Sequence, residues 1–212
     1  LRHGLLRRAS SASASSRDST PPPLCSMRRD GNTFEVTEST MRLIVFGNSG
    51  SGKSTLAKQV STRLDLAHLD LDTVAWKQEM PGEREDFETA AAAVVRFCLD
   101  HKRWVIEGCY STLLTVASRH ASHMVFLNPG IETCQANCRH RPWESHKYSS
   151  KAAQDQNLAM LLGWVAEYDV RTDEYSLSAH QAVFQSFQGL KYEWKSNQEA
   201  DEGGMSLVAL NS

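Results

Sequence analysis

Gly47-Asn48-Ser49-Gly50-Ser51-Gly52-Lys53-Ser54, inside the longer run MRLIVFGNSGSGKSTLAKQV (residues 41–60), decides the fold. The octet matches G-x-x-x-x-G-K-[ST]. Residues 42–46 (RLIVF) before it form a short apolar run, read as a buried strand. After it, Leu56, Val60 and Leu64 recur at helical spacing over 53–64. A glycine-rich loop between a strand and a helix brings backbone N–H groups together on phosphate oxygens, with the positive end of the helix behind them. Gly47, Asn48, Ser49, Gly50, Ser51, Gly52, Lys53, Ser54 and Thr55 are therefore the candidate nucleotide contacts. Lys53 would neutralise the outer phosphates, and the Ser54 hydroxyl would be a ligand for Mg2+. No guanine-reading N-K-x-D motif occurs, which favours ATP.

Working outward, residues 66–71, 103–107, 123–127 and 190–194 read as further strands. Residues 84–100, 130–139 and 152–169 read as helices, with another around Val183 and Phe187. Pro81-Gly82 and Pro129-Gly130 mark turns. Strands alternating with helices imply a parallel sheet covered on both faces. Residues 196–212 read as a flexible acidic tail.

Ligands of open α/β sheets sit beyond the carboxyl ends of the strands. Asp70 and Asp72 end the second strand, and strand alternation would turn both carboxylates to one side. Asp70 is the candidate for Mg2+; Asp72 is the candidate acceptor contact or base. Glu107 ends the third strand after Trp104-Val105-Ile106 and is a second candidate acceptor or metal contact. The fourth strand ends at Asn128, without the acid a water-activating ATPase needs. Residues 140–151 are polar and aperiodic and read as a short lid. Arg139 and Arg141 are positioned to stabilise a migrating phosphoryl group, with His140, His146 and Lys147 nearby. Cys134 and Cys138, four apart on a helix with no second pair, read as half-buried or buried thiols.

Composition sets the limits. Net charge is −2 with 41% apolar residues, and residues 41–212 hold 17 Lys and Arg against 21 acids. No basic stripe argues for nucleic acid, and no apolar run is long enough to span a bilayer. Five cysteines without framework spacing suit an intracellular compartment. Residues 1–40 read as a disordered leader. Its first 29 residues carry six Arg, seven Ser and one acid, the composition of a mitochondrial or plastid transit peptide; otherwise the cytoplasm is expected. The folded domain is expected over 41–195.

The stretches MRLIVFGNSGSGKSTLAKQV, HLDLDTVAW, WVIEGCY and CRHRPWESHKY resemble the adenylate kinase-related P-loop kinases, most closely the adenylate kinase-like or DNA topology-modulation group. The resemblance implies a three-layer α/β P-loop NTPase fold with a five-stranded parallel sheet in the order 2-3-1-4-5 and a lid. It implies Gly47, Gly52, Lys53 and Ser54 as the phosphate loop. Asp70 and Asp72 resemble the Asp-x-Asp of shikimate and gluconate kinases, the first serving magnesium and the second the acceptor. Arg139 and Arg141 fall where lid arginines sit. Glu-Gly-Cys-Tyr-Ser (107–111) departs from the Asp-Gly-Phe-Pro-Arg of adenylate kinases and lacks its acceptor-binding Arg. Two readings follow. One is a kinase moving the γ-phosphoryl of MgATP to a small acceptor; the other is a regulator that binds ATP without transferring phosphate.

Overall fold

The computed structural model describes residues 40–211 apart from 78, 81 and 144–149. The expected leader, except Thr40, and the middle of the expected lid, with His146 and Lys147, lie outside the described residues. The chain runs β1 (Arg42–Gly47), α1 (Lys53–Leu64), β2 (Ala67–Asp70), α2 (Asp72–Ala75), α3 (Phe87–Asp100), β3 (Trp104–Gly108), α4 (Ser111–Ser118), β4 (His123–Leu127), α5 (Ile131–Arg139), α6 (Lys151–Gln156), α7 (Leu158–Ala166), α8 (Leu177–Ser186), β5 (Leu190–Trp194) and α9 (Asn197–Asn211). All strand pairs are parallel, in the order β2-β3-β1-β4-β5. The fold is therefore the three-layer α/β arrangement expected.

Alternation along β1 builds both cores. Ile44 and Phe46 face α3, α4 and α8, packing with Val94, Leu113, Leu114 and Val183. Leu43 and Val45 face α1 and α9, packing with Leu56, Val60, Leu64 and Leu207. Both faces are apolar because parallel strands are buried on both sides. Phe46 stacks on its register partner Phe126 at 4.8 Å. Reversing the order of the central strands at β1 and β4 leaves a crevice at their carboxyl ends, and the glycine-rich loop fills one side of it. No helix among the described residues is long and apolar enough to cross a membrane.

The structure differs from the sequence reading at several points: α2 and α4 were not expected, α3 starts at Phe87 rather than 84, and two further differences lie in the C-terminal half. The helix expected over 152–169 is broken at Asn157, whose side chain bonds the Ala153 carbonyl at 3.0 Å and competes with the regular ladder. The expected tail from 196 is the helix α9. Its inner face is made of small residues, so it shows little apolar periodicity. Gly203 lies against the Trp194 ring, Gly204 against Leu56, and Leu207 is buried.

A side chain at 203 would be driven into Trp194. Gly203→Val is expected to lower stability by about 1–3 kcal/mol, while the exposed-face control Ser206→Ala stays within about 0.5 kcal/mol. Urea unfolding midpoints check this; equal midpoints would show that α9 does not dock.

Candidate functional site

The site is built where β1 hands over to α1. Gly52 (φ 93°) is the N-cap of α1, and no side chain caps this helix. The N–H groups of its first turn therefore have no acceptor from within the helix. Gly50 (φ 79°) lies flush on α5, where any Cβ would collide with the Cys134 carbonyl and come within 2.7 Å of the Cys138 sulfur. Cys134 and Cys138 are the buried floor of the loop, and burial raises the Cys134 thiol to about 12. Asn137 Nδ2 donates to the Gly50 carbonyl at 2.8 Å. It also exchanges amide bonds with Asn197 of α9 at 3.1 Å. Above the loop is a cavity of about 620 Å3 lined by Gly50 to Thr55, Asn137, His140 to Trp143, Asn197, Ala200 and Asp201. Gly47, Asn48 and Ser49, expected among the contacts, lie outside that lining. Arg141 lines both this cavity and a small adjoining cleft; Arg139 lines only the cleft, with Lys151, Gln154 and Leu158.

The acids come from two neighbouring strands. Glu107 of β3 is 1% exposed, and burial raises its carboxyl to about 7. The Lys53 charge and a Ser54 hydrogen bond oppose that rise, while Asp70 and Asp72 add to it. Lys53, Ser54, Asp70, Asp72 and Glu107 thus form one electrostatic cluster drawn from α1, β2, α2 and β3. Glu107 Oε1, His68 Nε2 and Ser51 Oγ are buried without hydrogen-bond partners. His68 and Glu107 are 3.9 Å apart, too far to bond directly. Unpartnered buried oxygens beside an uncapped helix start are groups that a phosphate and its cation can satisfy.

Strand alternation does not place Asp72. β2 stops at Asp70, Leu71 turns into the helical region, and Asp72 opens α2. The cause is local: Asp70 Oδ1 accepts the Asp72 N–H at 2.9 Å, an Asx turn that bends the chain. Asp72 is instead oriented by Tyr110, whose hydroxyl donates to Oδ1 at 2.7 Å and accepts from Trp76 Nε1 at 2.7 Å.

The sequence reading missed the surroundings of Asp72. Arg84 stacks over Tyr110 (4.8 Å), Trp76 (5.2 Å) and Tyr175 (5.8 Å). It bonds Tyr175 and pairs with Glu174 at 2.9 Å, and Thr112 holds Glu174 at 2.6 Å. A cation therefore packs on the ring of Tyr110, the residue that bonds Asp72, although the third-strand motif carries none. Trp76 and Tyr110 stand within stretches already singled out; Arg84 stands at the start of the helix expected over 84–100, which begins only at Phe87, and helical periodicity gives no reason to single it out. Behind them, fully buried His180 links three elements. Its Nε2 donates to the Cys109 carbonyl at 2.8 Å, leaving Nδ1 to accept from the Tyr168 hydroxyl at 2.7 Å. Burial lowers this imidazole to about 4, so it is neutral and its tautomer is fixed.

Glu107→Gln tests the cluster. In the folded state the carboxyl holds its proton to about 7, above its value of 4.5 when unfolded. The folded state thus binds more protons between those values, and stability falls as pH rises through them. A glutamine does not titrate. Its thermal stability relative to the parent should rise between pH 4.5 and 7 and then level off, by up to about 3 kcal/mol. Melting curves from pH 4.5 to 8 check this, and a difference independent of pH would contradict it.

No family model matches the chain, and no curated protein matches it in sequence. Solved structures do match. Shikimate kinase from Bacteroides thetaiotaomicron aligns with TM-score 0.50 at 16% identity, covering 80% of this chain and 97% of that one. Shikimate kinase from Acinetobacter baumannii in complex with shikimate aligns with TM-score 0.48 at 15% identity, covering 82% and 93%. At such identity the likeness is one of fold: the chain has the α/β P-loop architecture with the 2-3-1-4-5 sheet seen in such kinases.

Proposed function

We propose that this chain is an ATP-dependent phosphotransferase, adenylate kinase-like in plan, that moves a γ-phosphoryl group to a hydroxyl or phosphate of a small acceptor. One observation carries the reading. Lys53, Ser54, Asp70 and Asp72, drawn from separate stretches of the sequence, all bear electrostatically on buried Glu107 at the carboxyl edge of the sheet, beside an uncapped helix start. The donor set suits a triphosphate with Mg2+: backbone N–H groups and Lys53 for phosphate oxygens, Ser54 and Asp70 for the cation. When bound, Mg2+ neutralises phosphate charge.

The chain's own groups have separable tasks. Lys53 offsets the charge of the outer phosphates. Arg141, from the cavity wall, adds positive charge where the transferring group gathers negative charge. Asp72, held by Tyr110, takes the proton of an acceptor hydroxyl as the new P–O bond forms and the bond to the ADP oxygen breaks. Arg84 and the rings around it form a wall packed on Tyr110, the residue that holds that carboxylate.

Lys53→Ala is expected to cut turnover by about 10²-fold or more and to weaken ATP binding, read by ADP release with a panel of nucleotides and hydroxy acids as acceptors. Unchanged turnover would sink the assignment. The two arginines should separate. Arg141→Ala should lower turnover by about 10²-fold with a smaller loss of ATP affinity, since its charge matters most in the transition state. Arg139→Ala should cost markedly less, because Arg139 is not among the residues lining the cavity, whereas Arg141 is. Slow ATP hydrolysis supplies the readout where an acceptor is lacking. ATP binding with neither transfer nor hydrolysis would favour a binding-only regulator.

A further inference from the structure

Asn48 is a buried polar residue, 5% exposed, within the phosphate loop but off the cavity. Its amide Nδ2 donates to the Val165 carbonyl at 3.1 Å, 117 residues along the chain. Its Oδ1 accepts the Ser49 N–H at 2.8 Å. Chemistry fixes the orientation of the amide, because a carbonyl only accepts and a backbone N–H only donates. The Asn48 carbonyl also accepts the Ser51 N–H at 3.1 Å. The N–H groups of Ser49 and Ser51 are therefore engaged by Asn48, and the loop offers its anion site through the groups from Gly52 onward and through Gly50.

The partner of that amide matters as much. Val165 lies in the last turn of α7, where its carbonyl accepts the N–H groups of Glu167 and, at 3.4 Å, Tyr168 in place of a regular ladder donor, with the Asn48 amide as a further donor. Its neighbour Trp164 faces Tyr175 (5.4 Å), which in turn meets Tyr110 (5.4 Å), the residue holding Asp72. Adjacent residues of one helix thus touch the phosphate loop and the ring wall beside Asp72.

We propose that Asn48 is a positioning residue that ties the phosphate loop to α7, so that nucleotide binding and the acceptor-side wall are coupled through Val165 and Trp164. This rests on the phosphotransferase reading for the nature of the ligand. Removing the tie leaves the loop N–H groups free to reorient before a nucleotide arrives, and binding must then order them.

The test compares Asn48→Ala, Asn48→Ser and Val165→Ala in the full chain, with MgADP as the probe. Serine can still accept the Ser49 N–H but is too short to reach Val165. Val165→Ala removes buried packing and keeps the carbonyl. Titration calorimetry reads affinity, melting reads stability, and the emission of Trp164, isolated by subtracting Trp164→Phe, reads the far end. MgADP affinity should fall roughly tenfold in both Asn48 variants, the yield of one buried hydrogen bond. The Trp164 response to MgADP should fall by more than half. Val165→Ala should melt lower than the parent yet bind within twofold of it. Asn48 variants that bind and respond like the parent overturn the coupling, and so does a Val165→Ala loss of affinity equal to theirs. If Asn48→Ala does not fold, Asn48→Ser alone decides between these outcomes. A parent that binds no nucleotide overturns the phosphotransferase reading as well, which distinguishes the two failures.

Discussion

The site depends on a helix start left without a cap. The first-turn N–H groups of α1 lack intrahelical acceptors, and the helix dipole adds partial positive charge there. Most helices meet this need with a Ser, Thr, Asp or Asn side chain. Here Gly52 stands at the N-cap in a left-handed conformation and supplies none. The requirement is passed to whatever anion enters the cavity above. Lys53 and Ser54 follow at once on the same turn, so charge, donor and hydroxyl share one rigid element.

An exposed, uncompensated loop would be mobile unless its surroundings fixed it. Three amides do so. Asn48 ties the loop to α7, Asn137 ties Gly50 to α5, and Asn197 joins α9 to Asn137. Beneath them Gly50 rests on the Cys134 carbonyl with no space for a side chain. The buried pair Cys134 and Cys138, together with Val165, joins α5 to α7 as a small core of its own. The phosphate loop is thus a lining on a packed unit rather than a free strand-to-helix turn, which is the preorganisation that charge stabilisation requires.

On the other side of Lys53 the balance is electrostatic. Glu107 is raised above the usual carboxylate range chiefly by its burial, and Asp70 and Asp72 add to that rise against the opposing charge of Lys53. A cation at that position would oppose it further. The wall beyond Asp72 is balanced within itself, with Arg84 set against Glu174 and packed between aromatic rings. The two sides of Asp72 therefore differ in kind: one presents backbone donors and an acid cluster, the other an aromatic surface whose charges are paired within it. Neutral His180 braces the Cys109 carbonyl at the junction without contributing charge.

The sequence by itself determined the parallel sheet and the phosphate loop, because both rest on local signals. Burial on both faces makes β1 continuously apolar, and the loop's glycines and Lys53-Ser54 are fixed by what short-range backbone geometry allows. Strand β5 and helix α5 were legible for the same reason. The rest was not legible from periodicity: two features are local side-chain captures of the backbone, and the others were decided by tertiary packing alone. The break at Asn157 came from a side-chain bond to Ala153, and α9 from small residues whose value lies only in fitting Trp194 and Leu56. Asp72 left the strand because the Asp70 side chain captured its N–H. Arg84 and Glu174 meet against Tyr110 although they are 90 residues apart, and Asn48 meets Val165 across 117. Periodicity reports which face of an element is buried; which groups from distant elements then face each other is set by the packing of the whole sheet and its helices.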